Sequence, residues 1–491
     1  MESFLNISES LYNWLTALAS ILYLITIFFM IVLIILENRL PVKTISWILV
    51  LLLLPVLGII LYLFFGIDYR KRKLFSRKEL KDLRRLERFS RVQLKYFPDD
   101  SFFDDPDVLA KKNIMTLLLN NNKALLSKHN HVEILNNGKP TFESIIESME
   151  NAREHIHLEY YIYSDDKVGN RIKEVLIRKV LKGVQVRFIY DAVGSWGLSR
   201  KFIRDLRKAG VEVYPFHPVK FPLLASKINY RNHRKIVVVD GKVGYVGGVN
   251  IADRYAEGHP KIGFWRDTHL KLQGDAVHSL QAVFLTDWFF SSKKIVQGNI
   301  YFPKHEIAEN HLVQIAASGP DSDWASIMQA YFTAIATAKD HVYISTPYFI
   351  PNESIVTALK SAAMSGVDVR IILPSRSDVG IYLWSSHSYV EKLLESGVKV
   401  YFYEKGLNHG KVMMVDSVFS TVGTANMDVR SFDQNFEINA LIYDKEITKK
   451  LEADFHEDLN DSKYISLSEF KKRPAIRKVK ESFSRILSPL L

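Results

Sequence analysis

Four sequence segments recur in the same order in the two halves of the chain that follows residue 110. The matched pairs are HIHLEYYIY (155–163) with HVYISTPYF (341–349), KGVQVRFIYD (182–191) with SGVDVRIILP (365–374), AGVEVYPF (209–216) with SGVKVYFY (396–403), and NHRKIVVVD (232–240) with NHGKVMMVD (408–416). Each second copy begins 176 to 187 residues after the first. This part of the chain is therefore a duplication, which predicts two similar folded units.

Within each half, short runs rich in β-branched and aromatic residues alternate with helical segments such as IKEVLIRKVLKG and IVTALKSAAMSG. This alternation is typical of α/β units built around a largely buried sheet. We therefore predict an α/β body of two halves, residues 110–300 and 301–469, related by a pseudo-two-fold axis. Catalytic groups that occur once in each half are expected to meet where the halves face each other.

Two apolar runs that contain no charged residue precede the repeat. They cover about residues 11–36 and 44–67, and each exceeds the roughly 20 residues that a helix needs to cross a bilayer core. A signal peptide is not favoured, because the first ten residues contain no Lys or Arg and the first run is too long. The short connection between the runs predicts a transmembrane hairpin within residues 1–68.

The positive charge of the chain is concentrated in two segments. Residues 70–91 have a net charge of +8 and residues 470–491 a net charge of +6, whereas the whole chain has +11. Because many more Lys and Arg follow the second run than lie in the connection, the positive-inside rule predicts a cytoplasmic body and N terminus. Flanking basic clusters suit anionic lipid head groups, and no nucleic-acid partner is expected, since a nucleic-acid enzyme carries its charge around the cleft.

Each basic flank leaves two interpretations open. The connector, residues 69–109, includes a predicted basic helix at 74–95, which would lie on the membrane surface or act as a solvated connector packed on the body. The tail, residues 470–491, is predicted to be amphipathic, and it would contact the membrane or pack on the body. Nothing in the sequence indicates an oligomeric state.

The last matched pair contains a His-x-Lys-x4-Asp motif in each half, followed by small residues and an asparagine. The two sets are His233, Lys235, Asp240 and Asn250, and His409, Lys411, Asp416 and Asn426. Histidine and lysine two positions apart on a strand project from the same face. A hairpin at Asp240–Gly241 would bring Asn250 alongside them. The aspartates are expected to brace the turns and not to touch a substrate.

Two such sets that face each other form a site for a phosphodiester with a single negative charge. The lysines and asparagines would stabilise the charge that grows on the non-bridging oxygens. One neutral histidine can attack phosphorus and form a covalent phosphohistidine, while the other, protonated, donates to the leaving alkoxide. A metal site is not favoured, because protonated lysine is not a ligand and no His/Asp cluster has ligand spacing. We expect neither a metal nor a cofactor.

A histidine nucleophile needs an acceptor at its far ring nitrogen. Asp267 lies 34 residues after His233, and Glu437 lies 28 residues after His409, at matching places on the next predicted strand. Both are candidates for orienting carboxylates, and a surface salt bridge is the alternative role for each. Arg266 and Arg430 are expected to pair with a carboxylate or with a substrate phosphate.

The chain resembles the bacterial cardiolipin synthase family of the phospholipase D superfamily over nearly its whole length. The segments that carry the resemblance are RLPVKTISWILVLLLLPVLGIILYLFFG, NYRNHRKIVVVDG, GYVGGVNIADRY, WRDTHLKLQG, TPYFIP, VGTANMDVRSFDQNFEIN and the terminal SPLL. The resemblance implies two phospholipase D-like α-β-α sandwich halves in a multi-pass protein of the bacterial plasma membrane. It also implies that one phosphatidylglycerol donates its phosphatidyl group to a second, with release of glycerol. By the order of the motifs in the family, His233 is the nucleophile and His409 the acid/base.

The second motif departs from the family pattern. It reads LNHGK, where the family more often has leucine before the histidine and alanine or serine after it. Because Gly410 is small, the chemistry is expected to survive in a looser strand. Other functions also fit the motifs. One is a phospholipase D-type hydrolase or nuclease with the same site, and the predicted hairpin argues against the nuclease. Another is a transphosphatidylase with a different lipid acceptor, and a third is a non-catalytic lipid-binding scaffold. The scaffold is disfavoured because both motifs are intact.

Overall fold

The computed structural model describes two compact units. The described residues are 2–36, 41–62, 66, 90–95, 103, 105–218, 229–377 and 379–486. The N-terminal unit comprises Met1–Tyr69 and Phe221–Asn229, and the body comprises Arg70–Lys220 and Tyr230–Leu491. Most of the predicted basic helix at 74–95 lies outside the described residues, and its last six residues, 90–95, are helical.

The N-terminal unit contains the helices Glu2–Leu36, Pro41–Leu53 and Pro55–Leu61. Of the described residues, the segment Tyr12–Leu36 forms the one helix that is long and apolar enough to cross a bilayer. The second apolar run is not one continuous helix, because Leu54 leaves the helical conformation directly before Pro55. A second span of full length at 44–67 is therefore not confirmed.

In the described part of the body, twenty strands form the sheets. In chain order they are β1 (Leu126–Ser127), β2 (Asn130–Asn136), β3 (His155–Tyr160), β4 (Gln185–Asp191), β5 (Glu212–Phe216), β6 (Lys235–Val239), β7 (Val243–Gly247), β8 (Phe264–Arg266), β9 (Thr268–Gly274), β10 (Leu312–Ser318), β11 (His341–Ser345), β12 (Phe349–Ile350), β13 (Asp368–Pro374), β14 (Lys399–Tyr403), β15 (Gly406–Asn408), β16 (Val412–Val415), β17 (Phe419–Gly423), β18 (Met427–Asp428), β19 (Glu437–Tyr443) and β20 (Ser462–Ile465).

Helices connect these strands and cover the sheets. The α-helices of the body are Pro106–Leu109, Lys112–Asn121, Gly138–Glu150, Lys167–Leu181, Arg200–Ala209, Asp253–Glu257, Ala276–Ser292, Ser326–Ala336, Glu353–Met364, Gly380–Glu395, Val429–Asp433, Lys445–Asn460, Leu467–Lys471 and Ala475–Ile486, and a 3-10 helix covers Asn299–Tyr301.

The two large sheets share one strand order. The first sheet has the order β2-β9-β7-β6-β3-β4-β5, and the second contains the corresponding order β10-β19-β17-β16-β11-β13-β14. The second sheet adds β1 at one edge and β20 at the other. In both sheets the strands of the sequence repeat occupy equivalent positions, so the predicted α/β duplication is confirmed. Both sheets are mixed, since three parallel strands adjoin an antiparallel meander.

The two halves share part of their core. Val238 and Leu270 of the first sheet belong to the same buried cluster as Met414 and Ile438 of the second, together with residues of the helices Ala276–Ser292 and Lys445–Asn460. The outer face of each sheet has its own cluster, which packs under the remaining helices. Because the shared cluster is apolar, the halves are held together by burial and form one body.

The segment before the first sheet packs with the second. Strand β1 pairs with β10, and Ile114, Met115 and Leu118 are buried in the core cluster of the second half. The first sheet itself begins at β2. Residues 106–127 therefore pack with the second half, and β1 adds a strand to its sheet, although the segment precedes the first sheet in sequence.

Candidate active site

Each motif aspartate closes a turn at the base of its half. Asp240 and Asp416 both have positive φ angles, of 53° and 56°. The Asp240 carboxylate accepts hydrogen bonds of 2.8–2.9 Å from the backbone N–H groups at residues 153–155. Asp416 accepts equivalent bonds from residues 339–341, and its Oδ2 also lies 2.6 Å from Lys111 Nζ. Both aspartates brace the turn that follows their strand.

The two motif histidines line one cleft of about 230 Å³. The lining includes His233 and Asn250 from the first half and His409 and Asn426 from the second. All four residues are largely buried. The structure thus brings the candidate groups of the two halves together in a single site.

His233 is held by a carboxylate of the opposite half. Its Nδ1 lies 3.0 Å from each carboxylate oxygen of Glu437. Thr424 of the second half donates a hydrogen bond to the same carboxylate. With its Nδ1 proton donated to Glu437, His233 has its lone pair on Nε2, the nitrogen that is free to act as a nucleophile.

His409 has the reciprocal arrangement. Its Nδ1 lies 2.7 Å from Asp267 Oδ2, and Asp267 belongs to the first half. Asp267 also accepts a hydrogen bond of 2.8 Å from the Thr268 N–H. Each orienting carboxylate therefore belongs to the half opposite to that of the histidine it contacts. Neither histidine is fully positioned by its own half.

Backbone pairing between the halves produces this exchange. The strand β15, which precedes His409, pairs in parallel with β8, which precedes Asp267. The His409 N–H donates to the Arg266 carbonyl at 2.7 Å, and the His233 N–H donates to the Phe436 carbonyl at 2.9 Å. Each histidine is thus bonded to the residue directly before the carboxylate that orients it.

Two glycines allow polar side chains to come close to the backbone, a carboxylate at one and a carboxamide at the other. A Cβ atom at Gly248 would lie 2.0 Å from Asp267 Oδ1, and one at Gly423 would lie 2.3 Å from Asn439 Oδ1. Glycine is required at both positions because any side chain would occupy the space of these polar groups. Gly410 is different, since the nearest atom to its Cβ position lies 3.2 Å away.

The motif lysines are buried beside their histidines. Each Nζ lies 2.6 Å from the backbone oxygen of its own histidine, Lys235 with His233 and Lys411 with His409. Lys411 Nζ also lies 2.9 Å from Nδ1 and 3.3 Å from Nε2 of His409. The two ammonium groups therefore supply positive charge from behind the cleft lining.

The motif asparagines differ in their contacts. Asn250 Oδ1 accepts from the Ile162 N–H at 3.0 Å, and its Nδ2 donates to the Tyr255 hydroxyl at 2.6 Å. Among the described residues, none bonds to the buried Oδ1 of Asn426. Asn426 therefore has an acceptor oxygen without a bond to these residues at the cleft, whereas Asn250 is held in place by its neighbours.

Burial sets the ionisation of the first histidine. It lowers the pKa of His233 to about 4, against the opposing effect of Glu437. Burial also lowers the pKa of Lys235 to about 7. Although burial alone would raise it, the pKa of Glu437 lies below its usual range because of His233 and Lys235. His233 is therefore neutral at pH 7 beside an ionised carboxylate, as a nucleophile requires.

Several cleft residues lie outside the two His-x-Lys-x4-Asp motifs and were not among the predicted site residues. Tyr161, Arg254, Tyr255, Trp265 and Tyr382 line the cleft, and the ring of Tyr161 lies edge-on to His233 at 4.9 Å. Tyr161 follows β3 and Tyr382 lies on the helix Gly380–Glu395, while the other three lie on short elements. Residue spacing does not report that such separate elements are close in space. The DRY and FWR segments that contain three of them were the available signal.

Arg266 and Arg430, for which a carboxylate or a phosphate partner was expected, have different partners. Arg266 Nε lies 2.9 Å from Asp458 Oδ1, so this arginine pairs with a carboxylate. Arg430 lines the cleft and donates to the Tyr382 hydroxyl at 3.3 Å. Arg430 is thus the one of the pair that is placed to meet a substrate phosphate.

Among the described residues, one group of potential metal ligands lies outside the cleft lining. Asp275, His278 and His305 offer ligand atoms that all lie within 4.8 Å of one another. Sequence spacing did not indicate this group, because His305 lies in the connection between the halves. Asp275 directly follows β9, and Asp267 directly precedes this seven-residue strand. The group is therefore separated from the cleft by the length of the strand and takes no part in the cleft geometry.

A cleft formed by two α/β halves, with two histidine–lysine pairs each oriented from the opposite half, defines a phosphodiester-transferring enzyme of the phospholipase D type. The family described as "Cardiolipin synthase, PLD-like domain" matches residues 145–288 and 331–459, and "Phospholipase D-nuclease N-terminal" matches residues 21–66. The chain therefore belongs to the bacterial cardiolipin synthase family, membrane-associated phosphatidyltransferases of the phospholipase D superfamily.

Individual relatives agree with this assignment. The chain is 45% identical over 465 residues to cardiolipin synthase 2 of Bacillus anthracis, covering 93% of this chain and 88% of the relative. It is 45% identical over 474 residues to a cardiolipin synthase of Geobacillus sp. (strain WCH70), covering 96% and 93%. Among solved structures, a phosphatidylserine synthase of Haemophilus influenzae Rd KW20 matches with a TM-score of 0.59 at 15% identity, covering 77% of this chain and 98% of that one. At that identity the match concerns the fold.

Proposed function

We propose that the cleft transfers a phosphatidyl group from one phosphatidylglycerol to the head-group hydroxyl of another, giving cardiolipin and glycerol. The observation that carries the proposal is the pair of histidines in one cleft, each with Nδ1 bonded to a carboxylate of the opposite half. Two histidines oriented in this way provide one nucleophile and one acid/base, which is what a two-step exchange of phosphodiesters needs.

In the first step, Nε2 of neutral His233 attacks the phosphorus of phosphatidylglycerol. The bond between phosphorus and the head-group oxygen breaks, and protonated His409 gives its proton to that oxygen, so that free glycerol leaves. The phosphatidyl group is then bonded to His233. Lys235 and Lys411 stabilise the charge that grows on the non-bridging oxygens, and the Asn426 amide lies at the same site.

In the second step, the hydroxyl of another phosphatidylglycerol gives its proton to His409. Its oxygen attacks phosphorus, the bond to His233 breaks, and both histidines return to their starting protonation states. The balance needs no redox partner and no nucleotide. It does require that the acceptor alcohol reach the phosphohistidine in preference to water, because water would give phosphatidic acid.

We also propose that the N-terminal unit is a hairpin anchor that holds the body on the cytoplasmic side. The apolar segment Tyr12–Leu36 and the shorter apolar helices after it support this arrangement, as does the charge asymmetry around them. The chain contains no cysteine, so single cysteines can report its topology. A cysteine at Asn38 should react with an impermeant thiol reagent on intact cells, whereas one at the exposed Tyr464 should react only after lysis. The reverse pattern would contradict the proposed orientation.

Product analysis tests the proposed reaction. The full chain, reconstituted in vesicles that contain phosphatidylglycerol, should form cardiolipin and glycerol in equal amounts. His233→Ala and His409→Ala should each reduce the rate to background, while the matched exposed histidine variant His456→Ala should retain it. Denaturation of the wild type in detergent at mildly alkaline pH, where a bond between phosphorus and a histidine nitrogen survives, should trap a phosphatidyl group on His233. Phosphatidic acid as the sole lipid product would instead establish the hydrolase, and full activity in either variant would exclude the shared site.

A further inference from the structure

The last described helix, Ala475–Ile486, has its polar and apolar faces reversed with respect to the body. Glu481 and Ser484 are buried, with exposed fractions of 1% and 2%. The apolar residues of the helix point away from the body, with exposed fractions of 62–75%; they are Ile476, Val479, Phe483 and Ile486. These four residues recur at helical spacing and form one continuous stripe, here called the outer stripe.

Ion pairs fix the helix in this orientation. Glu481 accepts hydrogen bonds from Arg473 Nε at 2.8 Å and from Arg477 Nε at 3.1 Å. Arg473 also pairs with Glu391 of the helix Gly380–Glu395 at 2.7 Å, and Arg477 contacts His387 of the same helix at 2.9 Å. The inward face of the helix is thus satisfied by polar contacts, which leaves the outer stripe exposed. Large apolar side chains that share one exposed surface mark an interaction site.

The charge around the outer stripe identifies the partner. The helix contains four basic residues, Arg477, Lys478, Lys480 and Arg485, and one acidic residue, Glu481. Glu481 is buried and paired, and Arg477 and Arg485 contact the helix Gly380–Glu395, so the charge presented outward is that of Lys478 and Lys480. An apolar stripe bordered by Lys and Arg is the pattern of a helix that lies in the interface of an anionic bilayer.

The surface continues from the helix towards the cleft. Lys480 Nζ lies 5.2 Å from the ring centroid of Trp384, which is 37% exposed on the neighbouring helix. The same helix contains Tyr382, and Val379, which is 40% exposed, directly precedes this helix. Both residues line the cleft. A lipid layer that covers the outer stripe would therefore also reach the rim of the active site.

We propose that the outer stripe docks the body onto an anionic bilayer and so presents the rim of the cleft to lipid. The proposal rests on the proposed function in one respect, that the substrate is a lipid; the docking itself is a binding property that can be measured without turnover. A second copy of the chain would also cover an apolar stripe, but it would have to accept a basic border on both sides of the contact, which repels.

A fluorophore placed on the stripe tests the docking. Because the chain has no cysteine, Phe483→Cys can be labelled with an environment-sensitive dye in the full chain, reconstituted in phosphatidylglycerol vesicles. The dye should show a blue-shifted emission and should be quenched by lipids that carry a spin label on the acyl chain. Met364→Cys, at an apolar residue that is 74% exposed on the helix Glu353–Met364, is the matched control and should show neither effect. Vesicles of phosphatidylcholine alone should reduce the quenching at residue 483.

Two results would overturn the proposal. Quenching at residue 483 that equals the control would mean that the stripe does not enter the bilayer. A blue shift without quenching by the spin-labelled lipid would mean that protein, such as a second copy, covers the stripe.

Activity provides a second test that separates docking from catalysis. The variant Val479→Glu/Phe483→Glu should reduce turnover of phosphatidylglycerol in vesicles by about tenfold or more, because two buried apolar contacts with lipid are replaced by charges that anionic lipid repels. The same variant should turn over short-chain phosphatidylglycerol in detergent solution at the wild-type rate. Equal loss in both assays would show that the stripe supports the fold of the body and would overturn docking. If wild-type protein gave no cardiolipin in either assay while residue 483 was still quenched, the proposed function would fail and the docking would stand.

Discussion

The carboxylate behind each histidine determines which ring nitrogen carries the proton. Glu437→Gln keeps the shape of the side chain but removes the charge that orients His233 and favours its Nδ1 tautomer. We expect the rate of phosphohistidine formation to fall by about 10²- to 10⁴-fold, the scale of the effect when the acceptor of a catalytic histidine is neutralised. Rapid-quench measurement of the phosphatidylated protein reports this step directly.

Asp267→Asn is the matched variant, since it acts on His409 and leaves His233 with its partner. An ester of phosphatidic acid with p-nitrophenol, whose leaving group needs no proton, should restore phosphohistidine formation in Asp267→Asn and not in Glu437→Gln. The opposite pattern of rescue would assign the nucleophile to His409. This experiment therefore tests the roles of the two histidines as well as the pairing.

Substitution by alanine is expected to have opposite outcomes at two glycines near the site, because the space around them differs. In Gly248→Ala the new Cβ would lie 2.0 Å from Asp267 Oδ1, so the carboxylate has to leave its position beside His409. We expect kcat to fall by about 10²-fold, as displacements on the scale of 1 Å do. Steady-state cardiolipin synthesis is the measurement.

Gly410→Ala is the control, because the nearest atom to its Cβ position lies 3.2 Å away and its backbone is not left-handed. It should retain activity, with a change in the free energy of unfolding below about 1 kcal/mol. An inactive Gly410→Ala, or an active Gly248→Ala, would contradict the geometry around Asp267.

The sequence predicts the identity of the site residues better than their partners. The repeat predicted both motifs, and matching positions predicted Asp267 and Glu437 as carboxylates near the site. It did not predict that each carboxylate orients the histidine of the other half. That exchange depends on the pairing of β8 with β15 and of Asn232 with Phe436, which are contacts between segments more than 130 residues apart. Such contacts leave no local pattern.

Lys111, which precedes the first sheet in sequence, forms a buried ion pair with the turn after β16 of the second sheet. Lys111 Nζ lies 2.6 Å from Asp416 Oδ2, and both side chains are buried. In Lys111→Met, Asp416 keeps its backbone donors but loses its cation, so the body should lose about 1.5–3 kcal/mol of stability at pH 7. The melting temperature of the purified full chain measures this loss, and activity per folded molecule should not change.

Lys242→Met is the control for this prediction. Lys242 is exposed and lies two residues after Asp240, in the equivalent turn of the first half. Its substitution should leave the melting temperature unchanged. If both variants melted at the wild-type temperature, the segment 106–127 would not depend on Lys111 for its place on the second sheet.

The element order could be predicted wherever a residue pattern is local. The repeated strands β3 to β6 and β11 to β16 follow from alternating apolar runs, and the hairpin after Asp240 follows from the Asp-Gly pair. The structure of the second apolar run was harder to predict. Composition indicates how long the run is, whereas Pro55 determines whether the helix is continuous. The placement of β1 on the second sheet was not predictable, since its two residues carry no periodicity.

At the scale of the whole body, burial of histidines makes the fold sensitive to acid. Burial lowers the pKa of His155 and His233 to about 4, and that of His269 and His387 to about 3. The unfolded chain takes up protons on these residues near pH 6.5, whereas the folded body does not. The unfolded state therefore binds more protons between these values, and stability falls as the pH decreases below 6.5.

His269→Asn tests this linkage at a position where the second half already has asparagine. His269 pairs with Gly247 across the first sheet as Asn439 pairs with Gly423 across the second. The variant removes one proton uptake, so between pH 6.5 and 5 it should lose about 1.6 kcal/mol less stability than the wild type. The slope is half of about 1.36 kcal/mol per pH unit at pH 6.5 and approaches the full value at pH 5. Melting temperatures of the full chain across this range give the comparison.

His456→Asn, at an exposed histidine of the helix Lys445–Asn460, should keep the wild-type slope. Because carboxylates remain largely ionised above pH 5, an unchanged slope in His269→Asn would mean that His269 already takes up its proton in the folded body.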